Sequence, residues 1–213
     1  MSLIWTVLVA AGSGTRFGGA KQHAQIAGQR VLERSLATAA AVSHGVVVVV
    51  LSADVEGESE RLAGFGGNIV VVAGGASRAA SVRCGLVAVP QRAEIICVHD
   101  AARPLAEEAV FHRVITAVAE GAVGAVPVVS PTDTIRSVNG TVLDRSILKA
   151  VQTPQAFRAA ELREAHAGAA EATDDASLLE ALGHEVVMVD GHRRNIKITH
   201  LDDLVAAEAW LAT

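Results

Sequence analysis

Hydrophobic and polar positions alternate along this chain in two rhythms. Continuous apolar runs rich in β-branched residues occupy Ile4–Ala11, Val46–Leu51, Asn68–Val72, Glu94–His99, Ala122–Val128 and Glu185–Val189. An unbroken run, rather than a two-residue alternation, suits a strand that meets apolar surface on both sides of the pleat. Between these runs, apolar residues recur at helical spacing over Val31–Val42, Ser77–Val87, Glu107–Glu120, Arg158–Ala170 and Ala176–Leu182, and again near Leu201–Leu211. Strands alternating with helices predict an α/β fold: a doubly wound, mostly parallel (Rossmann-like) sheet with helices on both faces. One stretch breaks the rhythm. From Asp133 to Arg145, two short β-like runs flank Asn139-Gly140, a dipeptide that favours a tight hairpin turn. A hairpin has no place inside a parallel sheet, so it is expected to project as a β-hairpin arm at about 132–153. No internal repeat or low-complexity linker intervenes, and residues 1–213 are expected to form a single domain carrying that arm.

Composition narrows the partners. The chain has 213 residues, 51% of them apolar, with 18 Lys+Arg against 23 Asp+Glu for a net charge of −5. A chain of this length buries about 70% of its unfolded surface, enough for a substantial core. An acidic balance with 3% aromatics argues against a protein that grips nucleic acid by phosphate neutralisation and base stacking. The longest strongly apolar run, Val46 to Leu51, is far short of the ~18 residues of a membrane span, so no membrane partner is expected. The first residues resemble a signal-peptide core but lack a basic leader, and a cytoplasmic location is expected. Cys84 and Cys97 lie in apolar contexts without metal or redox spacing, and both are expected in a reduced core.

Candidate chemistry follows the strand ends. After the first strand, residues 12–22 hold Gly12, Gly14, Gly18 and Gly19 together with Arg16 and Lys21. Glycines let backbone N–H groups approach an anion and the two cations add charge, a composition suited to cradling phosphate. The plainer possibility is a flexible turn with solvated charges. Neither dinucleotide fingerprint nor Walker A loop is present: Phe17 stands at the third glycine, and Gln22 where a metal-binding Ser or Thr belongs. At the end of a later strand, Asp100 in Val-His-Asp-Ala-Ala-Arg-Pro is placed either to hold Mg²⁺ by its oxygens or to cap a helix. His99 is expected to be a packed core histidine. Asn195 to Thr199 is expected as a short strand with Lys197 in its middle, reaching either an anion or, as an edge-strand guard, solvent. Gly74-Gly75-Ala-Ser-Arg78 is a second glycine loop, or an ordinary turn and N-cap. No Ser/His/acid, Cys/His or zinc motif is evident.

Eight segments in order, AAGSGTR, KQ, GGASRAASV, VHDAARP, DT, QTPQAF, TDDASLLEALG and NIKIT followed by DDL, cover nearly the whole chain. Together they resemble the cytidylyltransferases that join CTP to 2-C-methyl-D-erythritol 4-phosphate in the non-mevalonate isoprenoid pathway. The resemblance implies a CTP site lined by Ala10, Ala11, Gly12 and Gly14, with Arg16 and Lys21 on the phosphates. It implies Gly75 and Ser81 at the cytidine end, and Asp100 and Ala101 on the ribose and magnesium side. Lys197 would contact the transferring α-phosphate, making Arg16, Lys21 and Lys197 the catalytic set. Arg103, Thr134, Arg145 and Thr153 would meet the second substrate, with Thr134 and Arg145 on an arm that crosses to a neighbouring subunit of a homodimer. Ala76 and Ala80 leave cytosine to be read mainly by backbone groups. A ribitol 5-phosphate cytidylyltransferase shares the glycine loop, the DAAR segment and the arm, and is the alternative. A non-catalytic nucleotide-binding relative is disfavoured, because the charged residues Arg16, Lys21, Asp100, Arg145 and Lys197 are all retained.

Overall fold

The computed structural model describes residues 2–12, 14, 17–19, 21–168 and 170–212. Strands β1 (Ile4–Val9), β4 (Gly45–Val50), β5 (Ile69–Ala73), β6 (Ile95–Asp100), β7 (Gly124–Val129) and β12 (Val186–Asp190) match the six apolar runs. Two antiparallel segments, β10 (Ala150–Val151) and β11 (Gln155–Arg158), complete an eight-stranded sheet of order β10-β7-β11-β6-β1-β4-β5, with β12 also paired to β7. A two-residue ribbon of β2 (Gln25–Ile26) and β3 (Gln29–Arg30) lies apart, as does the hairpin β8 (Ile135–Arg136) and β9 (Val142–Leu143). The helices are α1 (Val31–Val42), α2 (Val55–Leu62), α3 (Arg78–Ala88), α4 (Glu108–Ala119), α5 (Ala159–Ala165), α6 (Asp175–Ala181) and α7 (Leu201–Leu211).

The valine-rich runs are unbroken because their two parities serve two cores. In β4, Val46, Val48 and Val50 pack with Leu32 and Leu36 of α1 and Phe111 of α4, whereas Val47 and Val49 pack with Val82 and Leu86 of α3 and Leu162 of α5. The sheet is therefore covered on both faces, as expected of a doubly wound fold. Gly85 lets α3 settle onto the sheet, since a Cβ there would stand 2.6 Å from a methyl of Val7 and 2.9 Å from one of Val49. A third small cluster joins Ile26, Val31, Ile198 and Ala207, tying the 195–199 segment to α7 and the β2–β3 ribbon.

The structure departs from the sequence pattern in four places. Strand β11 lies between β6 and β7 and runs against both, although its sequence, Gln-Ala-Phe-Arg, reads as the approach to a helix. Helix α2 is carried by only two buried residues, Glu58 and Leu62, too few to give a sequence signal. The segment Asn195 to Thr199 buries Asn195 and Ile198, three residues apart instead of two, and forms no strand, because its backbone bonds loop atoms: the Ile198 N–H donates to the Ala102 carbonyl at 2.7 Å. Cys84 is half-buried on α3, while Cys97 is fully buried and its thiol is pushed up to about 12 by desolvation.

A candidate nucleotide site at the carboxyl edge of the sheet

Beyond the carboxyl ends of β1, β4 and β6 lies a cavity of about 480 Å³. Ala10, Ala11, Gly12, Lys21, Gly75, Ser81, Asp100, Ala101 and Lys197 line it, nine of the residues singled out from sequence. Val9, Gln22, Leu51, Ala76, Ser77, Arg78 and Ala102 complete the wall. Open α/β sheets place ligands here because strand ends and loops converge without side chains filling the space.

Close approach explains the glycines of the second loop. A Cβ at Gly74 would stand 2.5 Å from the Ala11 Cβ and 2.8 Å from Ser81 Oγ, and one at Gly75 would stand 2.5 Å from the Ala80 Cβ. Ser81 is buried; its hydroxyl donates to the Ser77 carbonyl at 2.8 Å and accepts the Gly75 N–H at 3.2 Å, fixing the turn. Ser77 caps α3 through the Ala80 N–H, so this segment is at once an ordinary N-cap and a cavity wall. In the first loop, Gly14 adopts φ +65° and its carbonyl accepts the N–H groups of Phe17, Gly18 and Gly19 at 2.9, 3.1 and 3.3 Å. Gly14 is not among the cavity-lining residues, and Arg16 lies outside the described residues.

The two lysines are brought together by a contact spanning most of the chain. Lys21 Nζ donates to the Ile198 carbonyl at 2.8 Å, next to Lys197. The 195–199 segment is held in turn by Asn195 Nδ2 on the Thr153 carbonyl at 2.9 Å and by Arg103 Nη1 on the Asn195 carbonyl at 2.7 Å. Lys197 Nζ then meets Asp100 Oδ2 at 2.6 Å. Lys197 thus reaches an anion instead of guarding a sheet edge, and Asp100 heads a turn rather than capping a helix.

Asp100 is buried, which alone would raise its carboxyl, but Arg78, Lys197 and Arg103 outweigh that and hold it well below the usual carboxylate range. Arg78 Nε lies 3.2 Å from Asp100 Oδ1, and its charge is reinforced by Asp175 and Asp100 against the cost of burial. The Arg103 guanidinium is lowered by burial. His99 is the packed core histidine expected, edge-on to Phe111 with ring centroids 5.1 Å apart, and burial lowers it to about 3, so it is neutral at pH 7.

The residues tied to the second substrate do not share this cavity. Thr153 is buried, its Oγ1 accepting the Asp100 N–H at 3.0 Å and standing 2.9 Å from His99 Nδ1, so the hydroxyl braces the Asp100 strand end. Arg103 commits Nη1 to Asn195. Thr134 and Arg145 lie on the exposed arm; Arg145 bonds the Thr132 carbonyl and borders a separate hollow of about 400 Å³ with Ser130, Ser146 and Arg193. Arg78 was the main residue missed: its sequence signal was only an Arg at a helix start after Gly-Gly.

A Rossmann-like sheet whose carboxyl edge carries a glycine loop, two lysines and a carboxylate around one cleft places the chain in the nucleotidyltransferase class. More narrowly, it belongs to the 2-C-methyl-D-erythritol 4-phosphate cytidylyltransferase family, whose sequence profile matches residues 4–213. It is 42% identical to the protein of that name from Rubrobacter xylanophilus, covering 100% of this chain and 96% of the relative. It is 43% identical to the bifunctional enzyme IspD/IspF of Solidesulfovibrio magneticus over 97% of this chain, and spans 57% of that relative's length. The crystal structure of 2-C-methyl-D-erythritol 4-phosphate cytidylyltransferase from Thermus thermophilus superimposes with a TM-score of 0.82 at 37% identity, covering 100% of both chains.

Proposed function

We propose that this chain, acting as one nucleotidyltransferase domain, transfers the cytidylyl group of CTP to 2-C-methyl-D-erythritol 4-phosphate, releasing pyrophosphate. The observation that carries this reading is the convergence of Lys21 and Lys197, through the Ile198 carbonyl, on a cleft walled by the glycine loops. A phosphomonoester has a second pKa of about 6, so the acceptor is largely a dianion at neutral pH and needs no general base. One of its phosphate oxygens attacks the α-phosphorus of CTP; that P–O bond forms as the bridging bond to the β-phosphate breaks, and the electron pair leaves on pyrophosphate. The protein's task is alignment and positive charge around the phosphorus. Lys21 and Lys197 supply that charge from the cleft wall, with Arg16 assigned to the phosphates from the same loop.

The donor set fits Mg²⁺. Among the described residues no group of three or more acidic, His or Cys side chains is poised to hold a metal, leaving Asp100 as the one carboxylate of the cleft wall. Mg²⁺ characteristically takes one or two carboxylates and completes its shell with waters and substrate phosphates, neutralising their charge. Asp100 would hold it. Arg103, Thr134, Arg145 and Thr153 are assigned to the acceptor, the arm residues serving the site of the other subunit in a homodimer. No helix of the described residues is long and apolar enough to cross a membrane, and the location is taken as cytoplasmic.

The test is pyrophosphate release from purified protein with CTP and Mg²⁺, offering 2-C-methyl-D-erythritol 4-phosphate and ribitol 5-phosphate in parallel. Release with the erythritol phosphate alone is expected; release only with ribitol 5-phosphate overturns the acceptor, and silence with both overturns the reaction.

A further inference from the structure

Behind Arg78 the charge pattern continues away from the cavity. Arg78 Nη1 donates to Asp175 Oδ2 at 2.8 Å, and His166 Nε2 donates to Asp175 Oδ1 at 2.9 Å. Lys197, Asp100, Arg78, Asp175 and His166 therefore form one chain of contacts from the cleft to the junction of α5 and α6. Asp175 is 1% exposed and is not a cavity-lining residue, so anything it does at the site it does through Arg78. Its neighbour Asp174 has a different task, capping α6 through the Ser177 N–H and accepting from Gln155 Nε2 at 3.2 Å.

The unused atoms of Arg78 show what Asp175 restrains. Nε and Nη2 form the fork with which a guanidinium grips both oxygens of a carboxylate. Here Nε bonds Asp100 Oδ1, but Nη2 is buried with no hydrogen-bond partner among the described residues, and Oδ2 accepts from Lys197. A buried unpaired donor is costly, and a bidentate grip on Asp100 is the local way to satisfy it. Asp175, on the opposite edge of the guanidinium, pulls against that closure. With His166 donating to its second oxygen, Asp175 keeps one orientation toward Arg78.

We propose that Asp175, oriented by His166, is a positioning residue: it tethers Arg78 so that Asp100 keeps one oxygen for exchange between Lys197 and the incoming reactants. This rests on the cytidylyl transfer proposed above. Without the tether, Arg78 closes on both oxygens of Asp100 and competes with Lys197 at Oδ2, and the alignment of charge at the transferring phosphorus suffers more than nucleotide binding does.

The test uses the intact chain and the pyrophosphate assay, with circular dichroism and thermal melting to normalise each variant to folded protein. Asp175→Asn is expected to lower kcat about tenfold, equivalent to about 1.4 kcal/mol in barrier, with KM for CTP within about twofold. His166→Leu, which removes the donor, should move kcat in the same direction, and His166→Gln, which keeps an N–H at the reach of Nε2, should restore it. An unchanged kcat in folded Asp175→Asn, a loss confined to KM for CTP, or equal impairment by His166→Gln and His166→Leu each overturns the proposal. A wild-type chain that releases no pyrophosphate from CTP and the erythritol phosphate overturns the reaction itself, a different result from an active wild type with an indifferent Asp175→Asn.

Discussion

The floor of the candidate nucleotide cleft and the β8–β9 arm are built on opposite terms. On the floor, Ser81 and Asp100 are buried and both are bonded within this chain, with Asp175 behind them on Arg78. On the arm apolar side chains face outward: Val138 is fully exposed and Ile147 is 79% exposed, and Val142 is exposed too. A two-stranded ribbon is marginal by itself, and exposed apolar side chains in a cluster mark a contact surface. The floor offsets its desolvation within one chain, whereas the arm carries Thr134 and Arg145, the residues proposed for the acceptor, on a ribbon that joins none of the core clusters of the described residues. The difference separates what one chain finishes from what a second copy is proposed to finish.

The most severe challenge to the floor is Lys197→Ala. Removing a cation that meets developing charge should lower kcat about 10²–10³-fold, or about 3–4 kcal/mol, by analogy with an oxyanion donor. Near-normal pyrophosphate release would remove Lys197 from the chemistry. A milder challenge is acid. His99 is held neutral with a value near 3, and Asp100 is held ionised, so both have folded values below their unfolded ones. The unfolded chain then binds more protons, and stability present above about pH 6.5 is lost as pH falls toward 3. Urea midpoints measured from pH 7 to 4 should fall, and His99→Asn should flatten the upper part of that decline. The smallest effect is expected on the arm: Ile147→Asp should shift the thermal midpoint of dilute protein within the ±0.5 kcal/mol usual for surface changes. The same substitution should lower the sedimentation-derived self-association constant; an unchanged constant would leave the arm without its proposed partner.

Strands with two buried faces were visible in the sequence because β4 is an almost pure valine run, and α1 and α7 because their apolar spacing is intact. Strand β11 was not, since Gln155 and Arg158 bracket only two apolar residues and its place between β6 and β7 is a tertiary outcome. Of the site, the glycine loops, Asp100 and Lys197 were legible as charges and glycines at strand ends. The service of Thr153 to Asp100, and of Asp175 to Arg78, depends on contacts 53 and 97 residues apart that no local pattern encodes.

The contact between Lys21 and the carbonyl of Ile198 joins positions 177 residues apart. During synthesis at about 5–20 residues per second, the first lysine waits on the order of ten seconds or longer for its partner to be made. A growing chain can therefore lay down β1, β4 and β6 while the cleft still lacks one wall. The wall that brings the two lysines together is among the last parts of the molecule to exist, with only α7 to follow, and a product truncated before residue 197 would carry every strand of the sheet without gaining that wall.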